Sequence, residues 1–338
     1  MAPEAEKLCA NCGNTAVLQC SRCKNTIYCD ANCQKAHWRG HKKTCNKVNL
    51  DRMVQRAGAL LQKLFFIWRE NTLSEQFVNI EETETRIYFQ ATHGPGSFKE
   101  LPNNTFSSEE TKEMVLSASM CAEHTANFSD ILAKMFKGIP IEIRETTINL
   151  KEPEKMAQLF ISSFMEKVCP PSPHNVFQIT SRNPSKKWFL DSTGAQFGIF
   201  SPFHEAGDYM SKFGNRVTHI APRGTARSGV DELCTIRGSI GEFHRARRDG
   251  ARVVEQEIDK WCKEMGITLP QLLRCSEEEF HSLEAGLLVA VTKAAVDFAA
   301  SYDNTAEVES APTTGEYDYQ TMLCISEKIR CMIAQFRV

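Results

Sequence analysis

Residues 9–45 read CANCGNTAVLQCSRCKNTIYCDANCQKAHWRGHKKTC, the part of the chain whose residue types dictate a chemistry. The candidate ligands fall into four close pairs: Cys9 with Cys12, Cys20 with Cys23, Cys29 with Cys33, and His41 with Cys45. Zinc prefers four tetrahedral thiolate or imidazole ligands, and spacers of two or three residues let both members of a pair reach one ion. Four pairs make two closed tetrahedra and leave no coordination position open for water. The expectation is two structural zinc ions rather than a catalytic one. A disulfide framework would suit the same cysteine density in a small secreted domain, but this chain of 338 residues is far too long to need such staples. Spacing alone does not decide which pairs share an ion, since sequential and interleaved pairings fit equally well.

The ligand order, with Gln34 after the sixth ligand and His37-Trp38 before His41, resembles the MYND-type zinc finger. The resemblance implies an interleaved pairing. Cys9, Cys12, Cys29 and Cys33 would hold one zinc, and Cys20, Cys23, His41 and Cys45 the other. It also implies a protein-interaction module that grips a proline-containing peptide of a protein partner, with Gln34 and Trp38 helping to hold it. Trp38 equally suits a plug for the small core of the finger. His37 lies four residues from both Cys33 and His41, on the same helical face. With eight donors already satisfying two ions, it is expected beside the site or facing solvent.

The finger is basic. Residues 1–47 carry eight Lys/Arg against three Asp/Glu, while the whole chain has a net charge of −2. Lys24, Lys35, Arg39, Lys42, Lys43 and Lys47 could meet phosphates, yet the ligand order supplies no recognition helix of the C2H2 kind, which disfavours nucleic acid as a partner. The cations instead suit the solvated faces of short helices bearing the third and fourth ligand pairs. Seven further cysteines, Cys121, Cys169, Cys234, Cys262, Cys275, Cys324 and Cys331, are scattered singly, as suits reduced thiols in the cytoplasm or nucleus. No run approaches the length of a membrane span, and Met1 to Ala10 lacks the apolar core of a signal peptide.

Beyond the finger, Met53, Val54, Ala57, Leu60, Leu61, Leu64, Phe65 and Trp68 follow helical spacing and predict an amphipathic helix over 50–70. Strands are expected at Phe77–Ile80 and Arg86–Ala91, then a helix capped by Ser107 with Glu110 and running, with or without a break, to Lys137. A strand should enter at Gly138–Arg144, a helix at Met156–Lys167, and a hairpin at His174–Ile179 and Trp188–Asp191. Phe200 to Gly224 reads as a turn-rich surface excursion. His244-Arg-Ala-Arg-Arg248 reads as a solvated basic face or an import signal. Helices follow at Val253–Met265, after Thr268, from Ser276 to Tyr302, and at Met322–Phe336, with an acidic loop at 303–315. The predicted architecture is a two-zinc finger over 1–47 and a mixed α/β (α+β) domain with a helical C-terminal half over 50–338. That domain can be divided near 215, into a mixed part over 50–214 and a mainly helical part over 215–338.

One further pattern lies inside that domain. Cys121, the turn Gly138-Ile-Pro140, His174 and Trp188-Phe-Leu-Asp-Ser-Thr193 resemble the transglutaminase-like and papain-like cysteine hydrolase core. That resemblance implies a thiolate at Cys121, activated by His174, with Asp191 orienting the imidazole. Helical periodicity predicts otherwise. Met114, Val115, Ala118, Cys121, Ala122 and Thr125 would form one apolar face, on which a cysteine is a small buried hydrophobe. On that ground the sequence favours an interaction protein, with a role in regulating transcription in view, over an enzyme. A lysine methyltransferase of the SET class, which some such fingers interrupt, is a more distant alternative. Only eight residues precede Cys9, and the chain contains no Asn-His-Ser-Cys run.

Overall fold

A computed structural model describes residues 7–73, 75–93, 98–99, 101, 106–160, 173–182, 185–236 and 239–302. The acidic loop and the final helix expected at 303–315 and 322–336 lie outside them. The finger begins with β1 (Leu18–Gln19) and β2 (Ile27–Tyr28), an antiparallel pair. It continues into α1 (Ala31–Asn71), whose N-terminus is capped by Asp30, with Oδ1 accepting from Cys33 N–H at 2.7 Å. Two features expected to be separate, short ligand-bearing helices and the helix over 50–70, are therefore one helix of 41 residues. No proline interrupts 31–71, and burial changes partner along the helix. His41 and Cys45 are buried in the finger, while Leu50, Met53, Val54 and Ala57 are buried in the main core. Arg52 fastens the two regions, donating from its guanidinium to Cys23 O (2.7 Å) and Arg22 O (3.1 Å).

Then come β3 (Glu75–Glu82) and β4 (Arg86–His93), α2 (Glu109–Ser117), α3 (Cys121–Met135), β5 (Ile141–Leu150) and β6 (Met156–Phe160). Ser108, not Ser107, caps α2, accepting from Thr111 N–H; Ser107 instead bonds Glu82. Residues 156–160 form a strand and not the start of a helix. They pair in parallel with β4, and their backbone groups complete the three-stranded sheet β3-β4-β6. Tertiary pairing overrides a weak helical period in so short a run.

The main sheet takes β5, β7 (His174–Arg182), β8 (Ser185–Leu190), β9 (Phe203–Glu205) and β10 (Gly214–Pro222). Its order is β10-β5-β7-β8-β9, antiparallel throughout. Alternate residues feed two cores. Phe177, Ile179, Trp188 and Leu190 join α1 and α3 in the larger one, while Val176 and Phe189 join Ile148, Phe197 and Tyr209 in the smaller. The stretch 200–224 is thus structured, with β9, α4 (Ala206–Lys212) and β10 closing both sheet edges. Tyr209 is wholly buried there, an anchor that the surrounding turn residues conceal.

Helices α5 (Thr225–Cys234), α6 (Ser239–Met265), α7 (Leu269–Leu272) and α8 (Glu277–Ser301) complete the described chain. Thr268 with Gln271 and Ser276 with Glu279 form the capping boxes of α7 and α8. The basic cluster lies within α6 and is not simply solvated. Arg247 is 3% exposed and pairs with Glu123 at 3.0 Å, and Arg248 pairs with Asp231 at 2.9 Å.

Candidate metal centres and a candidate thiol site

The eight finger donors gather in two groups of four. Cys9, Cys12, Cys29 and Cys33 form one, and Cys20, Cys23, His41 and Cys45 the other, with ligand atoms in each group within 4.8 Å of one another. The grouping is the interleaved one. Cys12 and Cys29 Sγ lie 3.6 Å apart and Cys20 and Cys45 Sγ 3.7 Å apart, close to the ~3.8 Å edge of a tetrahedron with 2.3 Å Zn–S bonds. Cys23 Sγ stands 3.5 Å from His41 Nε2. The donor set and spacing fit two zinc ions. The second group is wholly buried, whereas Cys12 is exposed in the first. Around the donors, Thr26 Oγ1 lies 3.4 Å from His41 Nδ1, and Asn11 Nδ2 donates to Cys33 Sγ at 3.4 Å, contacts that orient ligands. His37 is outside both groups, bonded through Nδ1 to the Tyr28 hydroxyl (3.1 Å) and stacked on His41. Gln34 and Trp38 lie one turn apart on α1 and are both half-buried, and the Trp38 ring also packs edge-on against His41.

The second cluster depends on a break in a helix. Helix α2 stops at Ser117, Ser119 takes a left-handed backbone (φ 61°), and α3 restarts at Cys121. The expected continuous apolar face is interrupted there, so Cys121 sits in the first turn of a helix instead of in its middle. Gln196 holds the break in place. Its Oε1 accepts from Ser119 N–H (3.2 Å), and its Nε2 donates to Thr193 O (3.0 Å). The N-cap Met120 offers no side-chain acceptor, so first-turn N–H groups of α3 are left beside the thiol.

His174 opens β7 and Asp191 directly follows β8, so the hairpin brings both to one end of the sheet. His174 Nε2 and Asp191 Oδ1 are 2.8 Å apart, both side chains fully enclosed. His174 Nδ1 has no hydrogen bond of good geometry among the described residues, and Cys121, of intermediate exposure overall, carries the thiol whose titration it shifts. Burial pushes that thiol up, but the adjacent His174 imidazole outweighs it, and the net shift is downward. Burial likewise depresses His174, yet the Asp191 charge and bond and the neighbouring thiol raise it to about 10. The arrangement therefore favours a thiolate–imidazolium pair.

Three further residues complete this site. Tyr209 O–H donates to Asp191 Oδ2 at 2.8 Å. Gly194 must lack a side chain, since a Cβ there would lie 2.5 Å from Asp191 Oδ2 and 2.7 Å from Ile199 O. Gln196 clamps Ser119 as described. Only Gly194 left any trace in the sequence, as the small residue three positions after Asp191.

Together these observations define a zinc-finger protein with a mixed α/β domain. The comparisons agree for the finger: residues 9–45 match the family model of the MYND finger, a zinc-binding protein-interaction module. A 39-residue stretch is 54% identical to the MYND-type zinc finger-containing chromatin reader Zmynd8 of Drosophila melanogaster, covering 12% of this chain and 2% of that protein. Programmed cell death protein 2 of Mus musculus is 32% identical over 108 residues, 31% of this chain and 30% of its own length. The chain thus spans under a third of either relative, and no solved structure matches it. Among the described residues no helix is long and apolar enough to cross a membrane.

Proposed function

We propose that the chain is a cysteine-dependent acyl-transfer enzyme, a hydrolase or transglutaminase-like transferase, with its finger recruiting a protein partner. The observation that carries this is the buried His174–Asp191 pair beside a thiol in the first turn of α3. Cys121 Sγ attacks a carbonyl carbon, and the leaving amine takes its proton from His174. First-turn N–H groups of α3 stabilise the oxyanion. Water or an amine then takes the acyl group from sulfur, with His174 accepting its proton. Asp191 holds the ring orientation and balances the imidazolium.

Residue-by-residue iodoacetamide labelling of native protein tests this. Cys121 should label fastest of the cysteines outside the finger near neutral pH, and His174→Ala should abolish the advantage. A thiol that resists labelling until denaturation would leave a hydrolase scaffold reused for binding.

For the finger, Gln34 and Trp38 are assigned to a groove for an extended, proline-containing peptide, a ligand with little entropy to lose. Their adjacent half-buried positions on α1 favour this reading. Trp38→Ala should weaken such binding by about 2 kcal/mol in calorimetry. Unfolding of the finger by that change would return Trp38 to a core role. The likeness to a chromatin reader supports a nuclear role in transcription, which imaging of the tagged full chain checks.

A further inference from the structure

We propose that Tyr209 is a positioning residue of the thiol site, holding the Asp191 carboxylate in the one rotation that aims Oδ1 at His174. The inference rests on the acyl-transfer reading above. A carboxylate turns easily about its last bond, because such torsions have broad minima. At Asp191 both oxygens are committed: Oδ1 to His174 Nε2 at 2.8 Å, and Oδ2 to the Tyr209 hydroxyl at 2.8 Å. All three side chains are essentially fully buried, so no bulk water can replace either bond.

The phenol is itself held from several sides. Its ring packs edge-on against Phe189, His204 and Phe213 at 5.3–5.4 Å. Helix α4, which carries it, is tied to the end of β5 by Lys151 N–H donating to Phe213 O at 2.8 Å. On the other side, Gly194 leaves room at Oδ2 that a Cβ would fill. Burial and the Asp191 charge raise the phenol well above its ordinary range, so it stays a protonated donor. The titratable groups around the triad are His124 on α3, His204 on β9 and Tyr209 itself. Of these, Tyr209 bonds Oδ2. Without that bond the carboxylate can rotate, its hold on the imidazolium slackens, and the thiolate loses its counter-charge.

The test is the pH dependence of Cys121 alkylation by iodoacetamide in the full chain, followed by mass spectrometry. Tyr209→Phe keeps the packed ring and removes one hydroxyl. It should move the labelling midpoint up by roughly one pH unit and slow labelling at neutral pH about tenfold. Leu150→Ala, which loosens the same small core without removing a ring that packs on Tyr209, should lower the melting temperature and leave the midpoint unmoved. An unchanged or lower midpoint in Tyr209→Phe, or an equal rise in Leu150→Ala, overturns the assignment. A wild-type midpoint indifferent to His174→Ala refutes the acyl-transfer reading, and the role of Tyr209 with it. A normal His174 dependence with an indifferent Tyr209→Phe refutes the Tyr209 role alone.

Discussion

Ser119 is the residue on which the thiol site turns. A left-handed backbone costs an ordinary L-residue roughly 1 kcal/mol, and glycine adopts it freely. Ser119→Gly should therefore fold with equal or slightly higher stability, whereas Ser119→Val should lose about 1–2 kcal/mol in urea titrations and slow Cys121 labelling. One turn beyond Cys121, His124 is buried among Phe65, Phe128 and Phe177, and its Nε2 has no hydrogen-bond partner among the described residues. Burial holds its pKa down at about 3. Below the ordinary value near 6.5 the unfolded chain binds a proton that the folded one refuses, so stability falls as pH drops from about 6.5 towards 3. His124→Phe should flatten this acid limb by up to ~1.4 kcal/mol per pH unit, the linkage limit for one proton. Parallel limbs in the two proteins would show that His124 is not the group refusing the proton.

At the scale of elements, α1 joins the finger to the sheet. Asp51, six residues beyond the last ligand Cys45, accepts from Lys186 Nζ (2.8 Å) and Trp188 Nε1 (3.0 Å) on β8. Asp51→Ala would leave a fully buried indole N–H unpaired, at a cost of about 1–3 kcal/mol by denaturant titration. An effect within error would mean that β8 is seated by packing alone. Much of this level was legible in advance. The apolar period through Leu60, Leu64 and Trp68, the hairpin at β7 and β8, the cap at Thr268 and the capping box at Ser276 are local signals. What the sequence concealed is decided by distant partners. Whether α2 and α3 are one helix depends on Gln196 catching Ser119, and 156–160 is a strand because β4 offers an unpaired edge. The same applies to Tyr209, a lone aromatic among turn residues until Asp191 is folded against it. Ligand spacing in the finger needs no such partner, since four close pairs carry their own chemistry.

For the whole molecule, the finger has little core of its own, so metal binding supplies much of its folding energy. Elemental analysis should find two zinc ions per chain, and Cys23→Ser should retain one and unfold 9–45 while the main cooperative transition persists. One zinc or none in the wild type would contradict the two-site structure. Under the proposed function, a partner-binding finger is joined through one continuous helix to a reactive thiol. The most direct measurement is acyl-enzyme formation: native protein treated with p-nitrophenyl acetate, followed by intact and peptide mass spectrometry. An acetyl thioester is expected on Cys121, formed with a burst of nitrophenolate and lost in His174→Ala. Acetylation that spares Cys121, or modifies it equally in the His174 variant, would contradict that function.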